Sequence, residues 1–212
     1  MLSACDGEKV NSNQNAENTL KLTKSGTKSI GSLYRKNCSS CHGSKGEGKK
    51  ILKSPPIAGL PVWYSKLQIE SYQSGHRGGD SKDAFGRMMS NSVKTLNKDQ
   101  LEPLLSYIEK LKKTSTAKSK LGDHVAGKKD FMNNCASCHR YNATGEKVFK
   151  SAPLVFFPDW YLKSQIEKFK SGIRGHHPKD LRGKKMVETL SFLDEDINID
   201  NIIAYITSLE LK

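Results

Sequence analysis

Two short runs bring together side chains able to do chemistry: Cys38-Ser39-Ser40-Cys41-His42 and Cys135-Ala136-Ser137-Cys138-His139. Cys-x-x-Cys-His is the signature of covalent haem c attachment. On one helical turn, cysteines three residues apart lie close enough to meet the two vinyl groups of one haem edge. The next residue then turns its imidazole toward the iron. Two other chemistries use such pairs. A zinc site built from Cys38, Cys41, Cys135 and Cys138 would leave both histidines unexplained. A redox Cys-x-x-Cys expects a βαβ frame, and no strand pattern is legible here. The expected cofactors are therefore two haem c groups, each carrying one iron on His42 or His139.

A sixth iron ligand must come from elsewhere in the chain. A Met thioether is soft and favours ferrous iron. Met89 stands 47 residues after His42, and Met186 stands 47 residues after His139. The expected metal ligands are His42, Met89, His139 and Met186. Met88 is the local rival in the first half, but its counterpart is Lys185, so the register favours Met89. Each Met has an apolar residue four on (Val93, Leu190) and a Leu seven on (Leu96, Leu193). The other histidines, His76, His124, His176 and His177, have no counterpart in the opposite half and read as loop or surface residues.

These coincidences belong to an internal repeat with an offset of 97 residues. It carries Cys38, Cys41 and His42 onto Cys135, Cys138 and His139. It also carries Pro56, Pro61, Trp63, Tyr64 and Gln68 onto Pro153, Pro158, Trp160, Tyr161 and Gln165. Arg77-Gly78, Met89 and Leu96 fall on Arg174-Gly175, Met186 and Leu193. Tyr107 and Tyr205 match at an offset of 98. Three repeated pairs join the candidate haem contacts. Pro56 and Pro153 lie where a nearby carbonyl can accept the His Nδ1 proton and fix the ring. Trp63 and Trp160 can wall the haem or donate an indole N–H to a propionate. Arg77 and Arg174 suit propionates as guanidinium partners.

The fold class expected is all-α, with two tandem domains of a few helices each. In the first, Ile30, Leu33 and Tyr34 lead an opening helix into the cysteine run. Residues 43–61 read as loop, Trp63 to Tyr72 as a short helix ended by Gly75, and 76–87 as a polar loop. The last helix starts at Asn97, an N-cap with Gln100 three residues on, and buries Leu101, Leu104, Leu105, Ile108 and Leu111. The second domain repeats this from Phe131 to Leu209. The divisions are a polar leader over 1–28, a domain over 29–111, a linker over 112–122 and a domain over 123–212.

Of the 212 residues, 35% are apolar and 27% charged, which predicts a soluble protein with small cores. No apolar run approaches the ~18 residues of a membrane span. The net charge of +13 divides into +1 over residues 1–28, +8 over 29–114 and +4 over 115–212. That excess suits acidic docking faces on protein partners. No zinc-finger spacing, RNA-binding signature or basic helix points to nucleic acid. Leu2-Ser3-Ala4-Cys5 has the form of a bacterial lipoprotein cleavage site. Acylated Cys5 would tether the chain to a membrane through the leader.

Each half resembles a class I cytochrome c domain. Gly127, Phe131, Cys135, Cys138 and His139 follow that family's opening pattern, and Ile202 with Tyr205 its closing helix. Tyr34, Leu104 and Tyr107 match in the first half, where Ile30 replaces the Gly, so the helix crossing there should be looser. The tandem layout, with Trp160-Tyr161 and Gln165-Ile166-Glu167 before Ser171-Gly172 and Arg174-Gly175, is similar to the cytochrome c4 family. The resemblance implies a periplasmic electron carrier, serving respiratory redox proteins on the way to a terminal oxidase or other reductase. It implies no small-molecule substrate and no catalytic residue. The alternative is a dihaem redox enzyme such as a peroxidase, which needs an open or displaceable sixth site; a haem gas sensor needs one too.

Overall fold

The computed structural model describes residues 30–114 and 117–210. The leader and Cys5 lie outside the described residues. Among the described residues ten α-helices and two short 3-10 turns follow one another, and no strand forms. The first half contains α1 (residues 30–37), α2 (Ser39–His42), α3 (Val62–Gln73), α4 (Ala84–Val93) and α5 (Lys98–Lys110). The second contains α6 (His124–Asn134), α7 (Ala136–His139), α8 (Asp159–Lys170), α9 (Leu181–Ser191) and α10 (Ile199–Ser208).

The helix boundaries follow from capping chemistry. Asn97 and Gln100 form a reciprocal capping box at the start of α5. Asp83 and Asp180 cap α4 and α9, each accepting from the N–H three residues on, Gly86 or Gly183. A methyl group at either glycine would collide with the capping carboxylate, so the third residue has to be Gly. Helix α4 corrects the sequence reading, which ran the polar loop to residue 87. The loop stops at Asp83. Phe85, Met89 and Val93 keep helical spacing, but Ser90-Asn91-Ser92 are weak helix formers and obscure the pattern.

The opening and closing helices cross in each half, with an aromatic pair at the contact. Tyr34 lies 5.5 Å from Tyr107, and Phe131 lies 5.3 Å from Tyr205, between ring centroids. Gly127 lets α6 touch the backbone of α10: a Cβ there would strike the Asn201 carbonyl. In the first half Ile30 stands at the position of Gly127, and a Cβ on the neighbouring Gly31 would meet nothing closer than 3.6 Å. Tyr34, Val93, Leu96, Leu101, Leu104, Leu105 and Ile108 form the first core. The second core gathers Phe131, Ile202, Ile203 and Ile206, and extends into the first half through Leu60 and Tyr64. The halves are thus joined by apolar packing.

Candidate haem-attachment sites

Each cysteine run lies at the end of an opening helix. The His42 N–H donates to the Cys38 carbonyl at 2.9 Å, and the His139 N–H to the Cys135 carbonyl at 2.9 Å. That single turn sets the two thiols and the imidazole of each run on neighbouring positions. The chain then leaves through Gly43 at φ +85°, or Arg140 at φ +67°. In the first half, the Tyr34 hydroxyl donates to the Gly43 carbonyl at 2.6 Å and ties α1 to this exit.

The imidazoles are oriented alike. His42 Nδ1 donates to the Pro55 carbonyl at 2.8 Å, and His139 Nδ1 to the Ala152 carbonyl at 2.9 Å. A carbonyl only accepts, so Nδ1 carries the proton and the Nε2 lone pair is left for a metal. Burial holds both histidines below the usual imidazole range, which keeps them neutral at pH 7. The acceptors are the carbonyls just before Pro56 and Pro153, in the stretch where the sequence placed them. The prolines act through their rings, which hold the preceding residue extended.

All four cysteines are free thiols, and none is fully buried. Burial pushes Cys38 up to about 11, with Cys41 adding to it. Burial, then Asp130 and Cys138, push Cys135 up to about 11. Burial thus disfavours the thiolate form at Cys38 and Cys135. Among the described residues no three His, Cys, Asp or Glu groups are placed to share a metal ion, so the four-cysteine zinc alternative has no geometry. The free thiol pair, the neutral imidazole with an open Nε2 and the absence of a competing metal cage fit haem c in both halves.

Met89 lies on α4, half-buried, against the same core that Cys38 packs on. Met88 points outward and lines a surface cleft with Tyr72 and Arg87. Met186 is half-buried on α9, at the equivalent position. Trp63 and Trp160 are half-buried against the core shared by the halves, edge-on to Tyr64 and Tyr161 at 5.8 Å.

Arg77 and Arg174, expected at propionates, have different protein partners. Arg77 donates to Gln68, to the Tyr161 hydroxyl at 2.7 Å and to Gln165 at 2.8 Å. Arg174 donates to Gln165 at 2.9 Å and to Gln68 at 3.4 Å. Each glutamine carbonyl therefore accepts from its own arginine and from the arginine of the other half. This is a self-complementary contact, which requires identical residues at matching positions. The repeat of Gln68 and Gln165 was its signal in the sequence. The guanidiniums also stack on Tyr72 (4.7 Å) and Phe169 (4.4 Å). Burial, and then Arg77 beside it, hold Arg174 below the usual guanidinium range. Burial raises the Tyr161 phenol, but Arg77 and Arg174 overcome that and hold it below the usual phenol range. A buried anion would relieve this crowding of positive charge.

Two further contacts cross between the halves without a matched copy. Lys168 of α8 bridges to Asp83 at 2.7 Å. His76 and His177 stack with centroids 4.5 Å apart.

The Cytochrome c family profile matches residues 30–112 and again residues 124–210. The chain belongs to the cytochrome c family. It is 32% identical over 125 residues to the cbb3-type cytochrome c oxidase subunit CcoP of Azospirillum brasilense, covering 54% of this cytochrome and 39% of that subunit. It is 26% identical over 150 residues to the thiosulfate dehydrogenase electron acceptor of Stutzerimonas stutzeri, covering 69% and 68% of the two chains. Its fold resembles that of reduced recombinant cytochrome c4 from Pseudomonas stutzeri, with a TM-score of 0.66 at 20% identity, over 86% of this chain and 98% of that one. The tandem all-α cytochrome fold read from the repeat is the fold observed.

Proposed function

We propose that this cytochrome is a two-haem electron carrier, not an enzyme. The observation that carries the reading is the duplicated set of one neutral imidazole and one half-buried methionine, 47 residues apart in each half. Haem c supplies a one-electron iron couple when bound. The protein's own part is to fix, insulate and connect. Cys38 and Cys41, and Cys135 and Cys138, hold the porphyrin edge. His42 and His139 present Nε2, with Nδ1 restrained by the Pro55 and Ala152 carbonyls. Met89 and Met186 would each supply a thioether to the iron bound in their own half, and so would leave no vacant position for substrate. Trp63 and Trp160 would wall the haems or donate an indole N–H to a propionate. Donors of Arg77 and Arg174 not already engaged answer to propionates.

The domains are assigned to residues 29–111 and 123–212, with 112–122 as linker and 1–28 as leader. The partners are assigned as respiratory redox proteins with acidic faces, and the compartment as the periplasm, with acylated Cys5 as tether. Similarity to an oxidase subunit and to a dehydrogenase's electron acceptor supports this. No helix among the described residues is long and apolar enough to cross a membrane.

The test is ligand-resolved spectroscopy of the oxidised protein with Met89→Ala and Met186→Ala made singly. Each change should abolish one His–Met signature and leave the other. Robust peroxide turnover by the half-reduced wild type, or ready carbon monoxide binding when reduced, would refute the carrier reading.

A further inference from the structure

A small device follows each attachment run, and electron storage has no use for it. Lys49 and Ser54 pair as an antiparallel bridge, and so do Glu146 and Ser151. Each bridge closes a four-residue tip, Lys50-Ile51-Leu52-Lys53 or Lys147-Val148-Phe149-Lys150. The final lysine of each tip is left-handed, at φ 51° and 55°. The apolar pair therefore stands out from the surface. Ile51 and Leu52 are 88% and 37% exposed, and Val148 and Phe149 are 82% and 63% exposed. These side chains contribute almost nothing to the core.

Single exposed apolar residues are ordinary. These differ because both halves have them at the same repeat position. Other exposed apolar side chains are not matched in this way: Phe85 corresponds to Arg182, Met88 to Lys185, Phe192 to Thr95 and Tyr141 to Ser44. The tips are also pinned to the attachment runs. Lys49 Nζ donates to the Ser40 carbonyl at 2.7 Å, and the Ser151 hydroxyl donates to the Cys138 carbonyl. Gly48 and Gly145 donate to the carbonyls of His42 and His139, at 2.8 and 3.1 Å. Whatever touches a tip is held beside the thiol edge of that half.

We propose that the two tips are docking knobs for a redox protein that offers an apolar recess inside an acidic rim. The proposal rests on the carrier reading and names the partner chemistry for it. Lysines flank each apolar pair, so a carboxylate rim is the complement, and the pair supplies the desolvated centre that a basic ring lacks. Lys45, Lys49, Lys50 and Lys53 surround the first tip against Glu47 alone, whereas Arg140 near the second is engaged by Glu146 at 3.1 Å. The first half is therefore the preferred door for an acidic partner. The lysine-flanked tips beside the thiol edges suit an acidic electron-exchanging protein, which is the occupant proposed.

The test uses the haem-loaded protein with Ile51→Ser and Leu52→Ser, with Val148→Ser and Phe149→Ser, and with all four. The side chains are exposed, so the fold should hold; a second variant, Lys50→Glu with Lys53→Glu, reverses the charge and leaves the apolar pair. The protein probe is ferrous cytochrome b5, which has an acidic rim around its haem edge. One electron passes to the ferric protein, and no proton or group moves. The four-site variant should exchange about tenfold more slowly, with the first-tip pair causing most of the loss. Exchange with hexacyanoferrate, too small to need a docking face, should change less than about twofold. Unchanged cytochrome b5 rates in both the four-site and the charge variants would overturn the docking inference and leave the carrier reading standing. Wild-type failure with hexacyanoferrate would overturn the carrier reading itself. Loss of co-sedimentation with phosphatidylglycerol vesicles, at unchanged cytochrome b5 rates, would make lipid the occupant and overturn the proposal.

Discussion

Replacing Lys168 by Met should cost the folded, haem-loaded protein about 2 kcal/mol, and the loss should vanish when Asp83 is already Asn. Lys168 Nζ lies 2.7 Å from Asp83 Oδ1, with the side chains 24% and 6% exposed. At an effective dielectric of ~20, that separation gives a gross attraction of about 6 kcal/mol. Dehydrating a nearly buried carboxylate and a partly buried ammonium cancels most of it. Removing only the lysine leaves the carboxylate buried with one backbone donor, Gly86 N–H. Asp83→Asn keeps the helix cap, so a cycle of Asp83→Asn and Lys168→Met isolates the charge coupling. The repeat supplies a control. Asp180 caps α9 in the same way, but Ser71 stands where Lys168 would be, so Asp180→Asn should cost under about 0.5 kcal/mol. Urea unfolding followed by tryptophan fluorescence and by the haem band measures each variant. The pH dependence has a fixed sign. Burial raises Asp83, but the Lys168 and Gly86 hydrogen bonds and Arg77 overcome that and hold it below the usual carboxylate range. Its contribution is present above the unfolded carboxyl pKa of about 3.9 and is lost as the pH falls through the lower folded value. A coupling below about 0.5 kcal/mol at pH 7, or one that does not weaken as the pH falls below the unfolded carboxyl pKa of about 3.9, would refute the reasoning.

Gly127→Ala should destabilise the second half by about 1–3 kcal/mol through collision with the Asn201 carbonyl, whereas Gly31→Ala should be neutral or stabilising; thermal unfolding of the two variants compares them. Pro56→Ala frees the Pro55 carbonyl that orients His42, so the midpoint potential of the first haem should rise as the imidazole becomes a weaker donor, and Pro153→Ala should act on the second; spectroelectrochemistry resolves the two. Arg77→Lys should not rescue Arg77→Ala, because one ammonium cannot reach Gln68, Tyr161 and Gln165 together; both should speed amide exchange in α3 and α8.

The sequence made the repeat, both attachment runs, the matched methionines and the capping box at Asn97 readable, because each depends on residues close in the chain or on a constant offset. The acceptor carbonyls were located only to the neighbourhood of Pro56 and Pro153, since the sequence marks the proline rings and not the carbonyls they hold. Helix α4 was hidden by Ser90-Asn91-Ser92, whose local preference is outweighed by burying Val93 and Met89. Arg77 and Arg174 were read as propionate partners from guanidinium chemistry alone, and their burial against glutamines was not legible. Only when the halves meet do Gln68 and Gln165 become their shared acceptors. The Lys168–Asp83 bridge and the His76–His177 stack depart from the repeat, so no offset could reveal them.

The central claim is that both halves hold porphyrin iron through thioether bonds. Its most direct test is the intact mass of denatured, acid-extracted protein matured in a host with cytochrome c assembly machinery. The account predicts the polypeptide plus two haems, falling to one haem when Cys38 and Cys41, or Cys135 and Cys138, are changed to Ala. A bare polypeptide, or zinc in place of porphyrin, would contradict it.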